Sequence, residues 1–422
     1  MTENPSTVKR PSVFSGQRLF LLIALSIGHA IMHFCQQGYY ILLPEIKRTF
    51  DLNPIQYGAI ESTRSISGGV VNFPAGVVSD LLRERWVLIV GMALIGVGLA
   101  YLVLSIAPNY AIVLIGAGLV GVSTALWHPP ALSVLSSRLA ERRGLALAVH
   151  GMGGNLGNAV GPLALGVLVS TFALRYGPDI GWQRAAQVAA IPMILVAVLL
   201  FVALRNVRGR EGRAVKVGQY AAAVKGLLRN KVLIGLIVSG GIRGMGMGSM
   251  FAFFPIYLRE DLGFSSARLG FYLFLLMISG IVSQPVLGIL SDRIGRKAVL
   301  VPSLILLGLF EMLLVWAGAG VGLMLVVMCV GLFIYSIGAI IQAAAMDVTT
   351  PETGAMTIAL LFGSTFVLTT PSPMIAGFLA SSFGTPSVFL YAGALVLLSA
   401  LIVLWLPFRP VARASGEQTE GG

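Results

Sequence analysis

Gly288–Lys297 reads GILSDRIGRK, and this stretch decides the fold because a second copy precedes it by about half the chain. The earlier copy, Gly76–Arg85, reads GVVSDLLRER and keeps the glycine, the aspartate and a basic end. Each copy lies between two long apolar runs, so each is predicted to form a short loop between two helices. One loop repeated once in each half indicates a duplicated chain. Duplicated helical halves are how many secondary transporters are built.

The composition is that of a membrane protein. Hydrophobic residues make up 56% of the 422 residues and charged residues only 11%, whereas soluble domains carry roughly 25% charged residues. Long apolar runs recur, each near the ~20 residues that a helix needs to cross a bilayer. The net charge of +12 does not indicate nucleic acid, because most Lys and Arg fall on segments that a cytoplasmic N-terminus would place inside the cell. We therefore predict a polytopic all-α protein of the plasma (inner) membrane, with both termini cytoplasmic.

Twelve spanning helices are predicted, six in each half. They cover residues 18–43, 55–80, 86–106, 110–137, 143–172, 184–204, 231–258, 266–290, 298–318, 321–346, 354–382 and 386–407. An N-terminal bundle (18–204) and a C-terminal bundle (231–407) are joined by a basic cytoplasmic linker (205–230), and cytoplasmic tails (1–17 and 408–422) flank them. A same-direction repeat of six helices predicts two pseudo-symmetric bundles with a cavity between them.

The loop pattern Gly-x-x-x-Asp-Arg-x-Gly-Arg-Lys resembles the loop signature of the major facilitator superfamily. It is complete in Gly288–Lys297 and partial in Gly76–Arg85. The resemblance implies the twelve-helix fold of that superfamily and a role for both loops in conformational gating. Charge alone supports such a role, since a carboxylate at a helix end can pair with arginines and with a neighbouring helix N-terminus; the alternative is that both loops are only topology anchors. The implied gating residues are Gly76, Asp80, Arg85, Gly288, Asp292, Arg293 and Arg296.

Helix 5 contains a glycine-rich stretch that ends in Gly161-Pro162. This Gly-Pro pair resembles a motif of the drug/proton antiporter branch of the superfamily, and it implies a gating role for both residues. Trp127–Pro130 together with Gly153–Gly157 is similar to the fosmidomycin-resistance-type exporters of the same superfamily. The glycines also lie on one helix face, where they allow another helix to approach closely. Packing is therefore an alternative explanation of the motif.

Ionisable residues within spanning helices cost about 2.5–3.5 kcal/mol each on insertion scales, so they are candidate site residues by default. On helix 1, His29, His33 and Gln36 share one face and are predicted to contact substrate in an aqueous cavity. The alternative is that these histidines bond neighbouring helices. Glu61 and Arg64 on helix 2 are three residues apart and can pair. Glu61 is the predicted proton carrier and Arg64 a substrate ligand, unless the pair is purely structural.

Further polar residues lie on helices 4, 5, 7 and 10. His128 and His150 are predicted at similar depth, where they could relay protons or bind an anion. Arg243, near the middle of helix 7, either binds an anionic substrate, which we favour, or pairs with Glu61 or another acid. Asn155 and Gln342 are assigned to the substrate site, with core packing as the alternative for Gln342.

The chain has no P-loop, so ATP is not the predicted energy source, and it has no catalytic constellation that would indicate an enzyme. No metal site and no cofactor are predicted, because no carboxylate or cysteine motif accompanies the histidines. We expect a monomeric secondary transporter that exports a small compound, with an anion as one candidate, in exchange for protons. Its partners are the small-molecule substrate, protons and the lipid bilayer. The alternative is an importer or uniporter of an organic anion or other metabolite, and the rival from another class is a membrane-embedded enzyme or receptor.

Overall fold

A computed structural model describes residues 16–207, 226–349 and 354–408 of the chain. Nearly all of both predicted tails and most of the predicted linker lie outside these ranges. Within them the secondary structure is helical, without strands. The predicted all-α class is confirmed.

The helices fall into two sets of similar size, which we call the N-terminal half and the C-terminal half. The N-terminal half contains α1 (Gly16–Thr49), α2 (Pro54–Leu81), α3 (Trp86–Ser105), α4 (Tyr110–Arg138), α5 (Arg143–Tyr176) and α6 (Pro178–Leu204). The C-terminal half contains α7 (Lys231–Ile256), α8 (Ser266–Ile294), α9 (Arg296–Leu313), α10 (Val321–Asp347), α11 (Gly354–Thr369), α12 (Ser372–Phe383) and α13 (Pro386–Trp405). A π-helical turn, Tyr257–Asp261, extends α7.

Ten stretches of the described helices are long and apolar enough to cross a membrane. One of them, Thr365–Phe383, joins the end of α11 to α12, so these two short helices make a single crossing. The helices α2 and α9 are more polar, and α2 carries Glu61 and Arg64 within its length. With α2 and α9, the described ranges contain the twelve transmembrane helices that the sequence predicts. The chain is an integral membrane protein.

The predicted helix 11, continuous over 354–382, is broken in the structure. It ends at Thr369 and resumes at Ser372, because Pro371 has no N–H to donate and its ring clashes with the preceding helical turn. The predicted start of helix 6, residue 184, is also wrong. It begins at Pro178, a residue whose fixed φ suits the first helical position.

The contact between α5 and α1 depends on the glycines of α5. A Cβ at Gly157 would collide with the carbonyl oxygen of Ala30, and Gly153 and Gly161 meet the backbone of α1 about one turn before and after. The two backbones therefore touch without intervening side chains. The packing prediction for these glycines is confirmed.

Gly157→Ala is expected to destabilise the bundle, because overpacking of this kind costs typically about 1–3 kcal/mol. Gly151→Ala is the matched control, since Gly151 lies on the same helix with nothing within 4 Å of an added Cβ. The midpoint temperature of thermal unfolding is measured for both purified variants, with size-exclusion chromatography as the monitor of folded protein. We expect a lower midpoint for Gly157→Ala alone; equal midpoints would show that α1 and α5 are not in this contact.

Candidate functional site

A cavity of about 120 Å³ lies between the two halves. Its walls come mostly from α1, α2 and α4, and α11 supplies the wall on the other side. The lining residues are Gln36, Arg64, Ser65, Gly68, Asn72, Gly121, Thr124, Ala125, His128 and Phe366. Three predicted substrate residues, Gln36, Arg64 and His128, are among them, and Asn72 and Thr124 add further hydrogen-bonding groups. The walls suit a small polar molecule.

A hydrogen-bonded cluster of three side chains, those of Tyr40, Glu61 and Arg64, lies at the edge of this cavity. The guanidinium of Arg64 donates from Nε to Oε2 of Glu61 at 2.8 Å and from Nη2 to Oε1 of the same carboxylate. The hydroxyl of Tyr40 accepts from Arg64 and donates to Glu61, each at 3.1 Å. The Glu61 side chain is 3% exposed and the Arg64 side chain 15%. Glu61 and Arg64 are therefore paired, and Arg64 is the member that reaches the cavity.

All four histidines of the chain meet beside the cavity in the N-terminal half. The ring of His29 stacks on that of His150 with centroids 4.1 Å apart, and it makes edge contacts with His33 and His128 at 4.5 and 5.2 Å. The sequence predicted two separate groups, one on helix 1 and one on helices 4 and 5. The contact between the two groups was not predictable from the sequence, because the rotation of α4 and α5 about their axes is set by packing against α1.

Hydrogen bonds fix the orientation of two of these rings. Nδ1 of His29 lies 2.8 Å from the carbonyl oxygen of His150, and Nδ1 of His33 lies 2.9 Å from Oδ1 of Asn158. The amide that contacts the cluster is that of Asn158, which the sequence analysis missed, and the assignment of Asn155 to the substrate site stays a prediction. Asn158 lies three residues after Asn155, and that spacing was the available signal, since it keeps a residue on nearly the same helix face.

Arg243 lies inside the C-terminal half, and neither it nor Gln342 is among the residues that line this cavity. Its Nη1 donates to the carbonyl oxygen of Ile334 at 3.4 Å, and it interacts electrostatically with Glu311. Both oxygens of Glu311 are buried without a hydrogen-bond partner in the described part of the chain. Among the described residues no ion pair joins Arg243 to an acid: Glu61 is paired with Arg64, and Glu311 influences Arg243 only through its charge. Anion binding by Arg243 therefore stays a prediction.

The complete loop motif forms a charge network around Arg296. Its guanidinium pairs with Asp292 and donates from Nε to Oδ2 of Asp347 at 2.9 Å. Arg293 is exposed, and Gly288 has open space where a side chain would be. The network ties together the ends of α8, α9 and α10, all in the C-terminal half. Its role in gating stays a prediction.

The first copy of the motif is described only in part. The surroundings of Gly76 and the side chain of Asp80 lie outside what the structure describes, and Arg85 is exposed. Gly161 and Pro162 are fully described. Gly161 touches α1, and the carbonyl oxygen of Pro162 lies against Gly270 of α8. The Gly-Pro pair therefore lies where α5 contacts both α1 of its own half and α8 of the other half.

The end of the bundle opposite Asp292 is held together by ion pairs between the halves. The buried carboxylate of Glu45 in α1 pairs with Nη2 of Arg259 at 3.0 Å and accepts from Oγ of Ser266 at 2.9 Å. Lys47 donates to Glu260 at 2.8 Å. Every ion pair between the halves that the described ranges contain lies at this end. Sequence analysis did not predict this network, because its partners are far apart along the chain.

Backbone contacts reinforce the same end. A Cβ at Gly58 in α2 would collide with the carbonyl oxygen of Pro373 in α12, and one at Gly166 in α5 would collide with that of Ser266 in α8. The hydroxyl of Tyr57 donates to the carbonyl oxygen of Ala252 at 2.6 Å. Helices of opposite halves thus touch directly, and the cavity is closed at this end.

A larger cleft, of about 400 Å³, lies between α5 and α6. It lies on the outer surface of the N-terminal half, and exposed apolar side chains such as Ile191 (60% exposed) form its walls. None of the ionisable groups described above lines it, and its polar lining consists of Arg184, Gln187 and the hydroxyl of Tyr176. We assign this cleft to the lipid-facing surface and not to the transport site.

Comparison with known proteins decides the family. The family model of the Major Facilitator Superfamily matches residues 25–282 and 236–422, which together span most of the chain. The chain belongs to the major facilitator superfamily. Its members are transporters, so this major facilitator protein is a transporter of small molecules and not an enzyme, as the sequence predicted.

Two relatives and two solved structures illustrate the similarity. The fosmidomycin resistance protein of Escherichia coli (strain K12) is 25% identical over 391 residues, 92% of each chain. The MFS-type transporter YfnC of Bacillus subtilis (strain 168) is 22% identical over 346 residues, 81% of this chain and 83% of its own. A bacterial homolog of the human lysosomal transporter Spinster has a TM-score of 0.76 at 14% identity, covering 94% of this chain and 97% of that one. A D-xylose–proton symporter has the same TM-score and identity, covering 93% and 98%. These structures support the major facilitator fold alone.

Proposed function

We propose that this major facilitator protein is a proton-coupled exporter of a small compound. It works as a monomer in the inner (plasma) membrane, with both termini in the cytoplasm. Similarity to the fosmidomycin resistance protein over 92% of both chains supports export, and the distribution of Lys and Arg supports the orientation. The observation that carries the proton coupling is the ion pair between the buried Glu61 and the cavity-lining Arg64.

The Glu61–Arg64 pair gives proton binding a direct effect on the cavity. While Glu61 is ionised, its carboxylate holds the guanidinium of Arg64 through two hydrogen bonds. Protonation removes that negative charge and frees Arg64 to take another partner. The charge that the cavity presents therefore changes with the protonation state of a residue that is itself shielded from solvent.

The same geometry favours a second function for one class of cargo. An anion that binds Arg64 competes with the Glu61 carboxylate, so anion and proton would bind together. Joint binding is the requirement for proton–anion symport in the direction of uptake. Exchange of cargo for protons requires instead that the cargo and the proton exclude each other, which a cation or a hydrogen-bonding neutral molecule at Glu61 achieves. The charge of the cargo and the direction of coupling are therefore linked.

Alternating access requires the closed end of the bundle to open. The ion pairs of Glu45 with Arg259 and of Lys47 with Glu260 join the two halves there, and we propose that they break when the cavity opens to that side. The loops at Asp80 and Asp292 would then hold the other end. Gly161-Pro162, in contact with α1 and α8, is proposed as a point about which α5 moves.

Fosmidomycin, a phosphonate and therefore an anion, is the probe compound, because export in exchange for protons and uptake by symport at Arg64 predict opposite results for it. Expression in an Escherichia coli strain that lacks its own fosmidomycin resistance protein is expected to raise the drug concentration needed to stop growth. In proteoliposomes with a pH gradient, an exchanger concentrates the drug on the acidic side, whereas a symporter concentrates it on the alkaline side. Empty liposomes are the control for passive movement. Unchanged sensitivity together with alkaline-side accumulation would contradict proton-driven export.

A further inference from the structure

We infer that His29, His33 and His128 form a binding site for a divalent transition metal ion in the wall of the cavity. One ring nitrogen of each histidine can be chosen so that all three lie within 4.8 Å of one another. A zinc ion binds each nitrogen at roughly 2.0–2.1 Å in a tetrahedral site, which places the nitrogens about 3.3 Å apart, so the imidazoles would rotate toward one another on binding. The site uses residues from α1 and α4, which packing already holds together.

The hydrogen bonds of the cluster leave one ring nitrogen of His29 and one of His33 free to bind a metal. The carbonyl oxygen of His150 and Oδ1 of Asn158 are acceptors, so the Nδ1 atoms of His29 and His33 must carry the protons that they donate. In a neutral imidazole the other nitrogen, Nε2, then holds a lone pair. Histidines that ligate metals almost always donate their second ring N–H to a carbonyl or carboxylate in this way.

An unpartnered nitrogen points to a missing ligand. His29 is 7% exposed, and its Nε2 has no hydrogen-bond partner among the residues that the structure describes. Buried polar atoms are nearly always satisfied in folded proteins, and an exception calls for an explanation such as an ion. A metal ion that accepts this lone pair supplies the partner.

The donor set selects the kind of ion. Imidazole suits zinc, cobalt, nickel and copper, whereas magnesium and calcium prefer oxygen ligands. Within the described ranges no carboxylate or thiol completes the three-histidine group. A divalent ion held by three neutral ligands keeps its full charge in a poorly solvated place, which is unfavourable without an anion. His128 lines the cavity, so the remaining coordination position would be filled from there, by hydroxide or an anionic group.

The inference goes beyond the proposed export function and does not depend on it, because metal binding is measured on the resting protein without transport. Cobalt(II) is the probe, since its visible absorption increases strongly in a tetrahedral site with nitrogen ligands. Titration of the purified full-length protein is expected to give one saturable visible band. Azide, a small anion, is expected to shift that band by occupying the open position.

Two variants and one matched control assign the band to this cluster. His128→Gln is expected to abolish it. Asn158→Leu, which removes the partner of His33, is expected to weaken cobalt binding about 10–100-fold, as loss of such outer partners does. Asn155→Leu replaces an asparagine on the same helix that makes no hydrogen bond to the cluster, and it should leave the cobalt affinity unchanged. Size-exclusion profiles confirm that each variant is folded.

Three results would overturn the inference. The first is the absence of a saturable band in the unmodified protein. The second is a band that survives His128→Gln, since the metal would then lie elsewhere. The third is equal weakening by Asn155→Leu and Asn158→Leu, because the effect would then reflect general perturbation of α5 and not the contact with His33.

Discussion

Replacing Glu61 with glutamine is expected to reduce transport driven by a pH gradient to the level of empty liposomes. Glutamine has nearly the same size and can still accept hydrogen bonds from Arg64, but it cannot bind and release a proton. Proton coupling is lost while the shape of the cavity is kept. Exchange of labelled for unlabelled fosmidomycin across the membrane, which needs no net proton movement, is expected to persist in this variant.

The Glu61→Gln variant leaves Arg64 charged and without a counter-ion. Removing one partner of a buried ion pair costs roughly 3–5 kcal/mol, although the access of Arg64 to the cavity (15% exposed) lowers that cost. The double variant Glu61→Gln with Arg64→Gln leaves no unpaired charge at this position and is expected to fold well, yet to remain uncoupled. Stability and coupling can then be separated by comparing the two.

Glu84→Gln is the matched control for this prediction. Glu84 lies in the short turn after α2 and is exposed, so its loss removes the same chemical group from a place outside the membrane interior. Wild-type flux is expected in that variant. Full pH-driven flux in Glu61→Gln would show that the coupling proton binds elsewhere.

The architecture was predictable from sequence because its determinants are local or repeated. Helix number follows from apolar runs near the length of a bilayer crossing, and the division into halves follows from the repeat of Gly76–Arg85 at Gly288–Lys297. The break at Pro371 was missed because apolar residues continue on both sides of it. Hydropathy records whether a segment crosses the membrane and not whether its helix is continuous.

The candidate site was predictable by residue type and much less by grouping. Glu61 and Arg64 pair as their spacing suggested, since three residues on one helix fix their separation. The convergence of His29 with His150, and the contact of Glu45 with Arg259, join helices that are distant along the chain. Such contacts depend on how helices rotate and tilt against each other, which a single sequence does not specify.

Motion of one half against the other is the central claim, and cross-linking the closed end tests it. Lys47 and Glu260 are paired across the halves at 2.8 Å. With the native cysteines replaced by alanine, Lys47→Cys and Glu260→Cys can be joined by a short, reducible bis-thiosulfonate reagent. Arg48→Cys with Asp179→Cys is the matched control, because that ion pair has the same 2.8 Å separation at the same end but lies within the N-terminal half.

The decisive measurement is fosmidomycin flux in proteoliposomes before cross-linking, after it, and after reduction. The account predicts that the bridge between Lys47→Cys and Glu260→Cys stops flux and that reduction restores it, while the bridge within the N-terminal half has no effect. Undiminished flux through a fully cross-linked Lys47→Cys/Glu260→Cys protein would contradict transport by movement of the two halves.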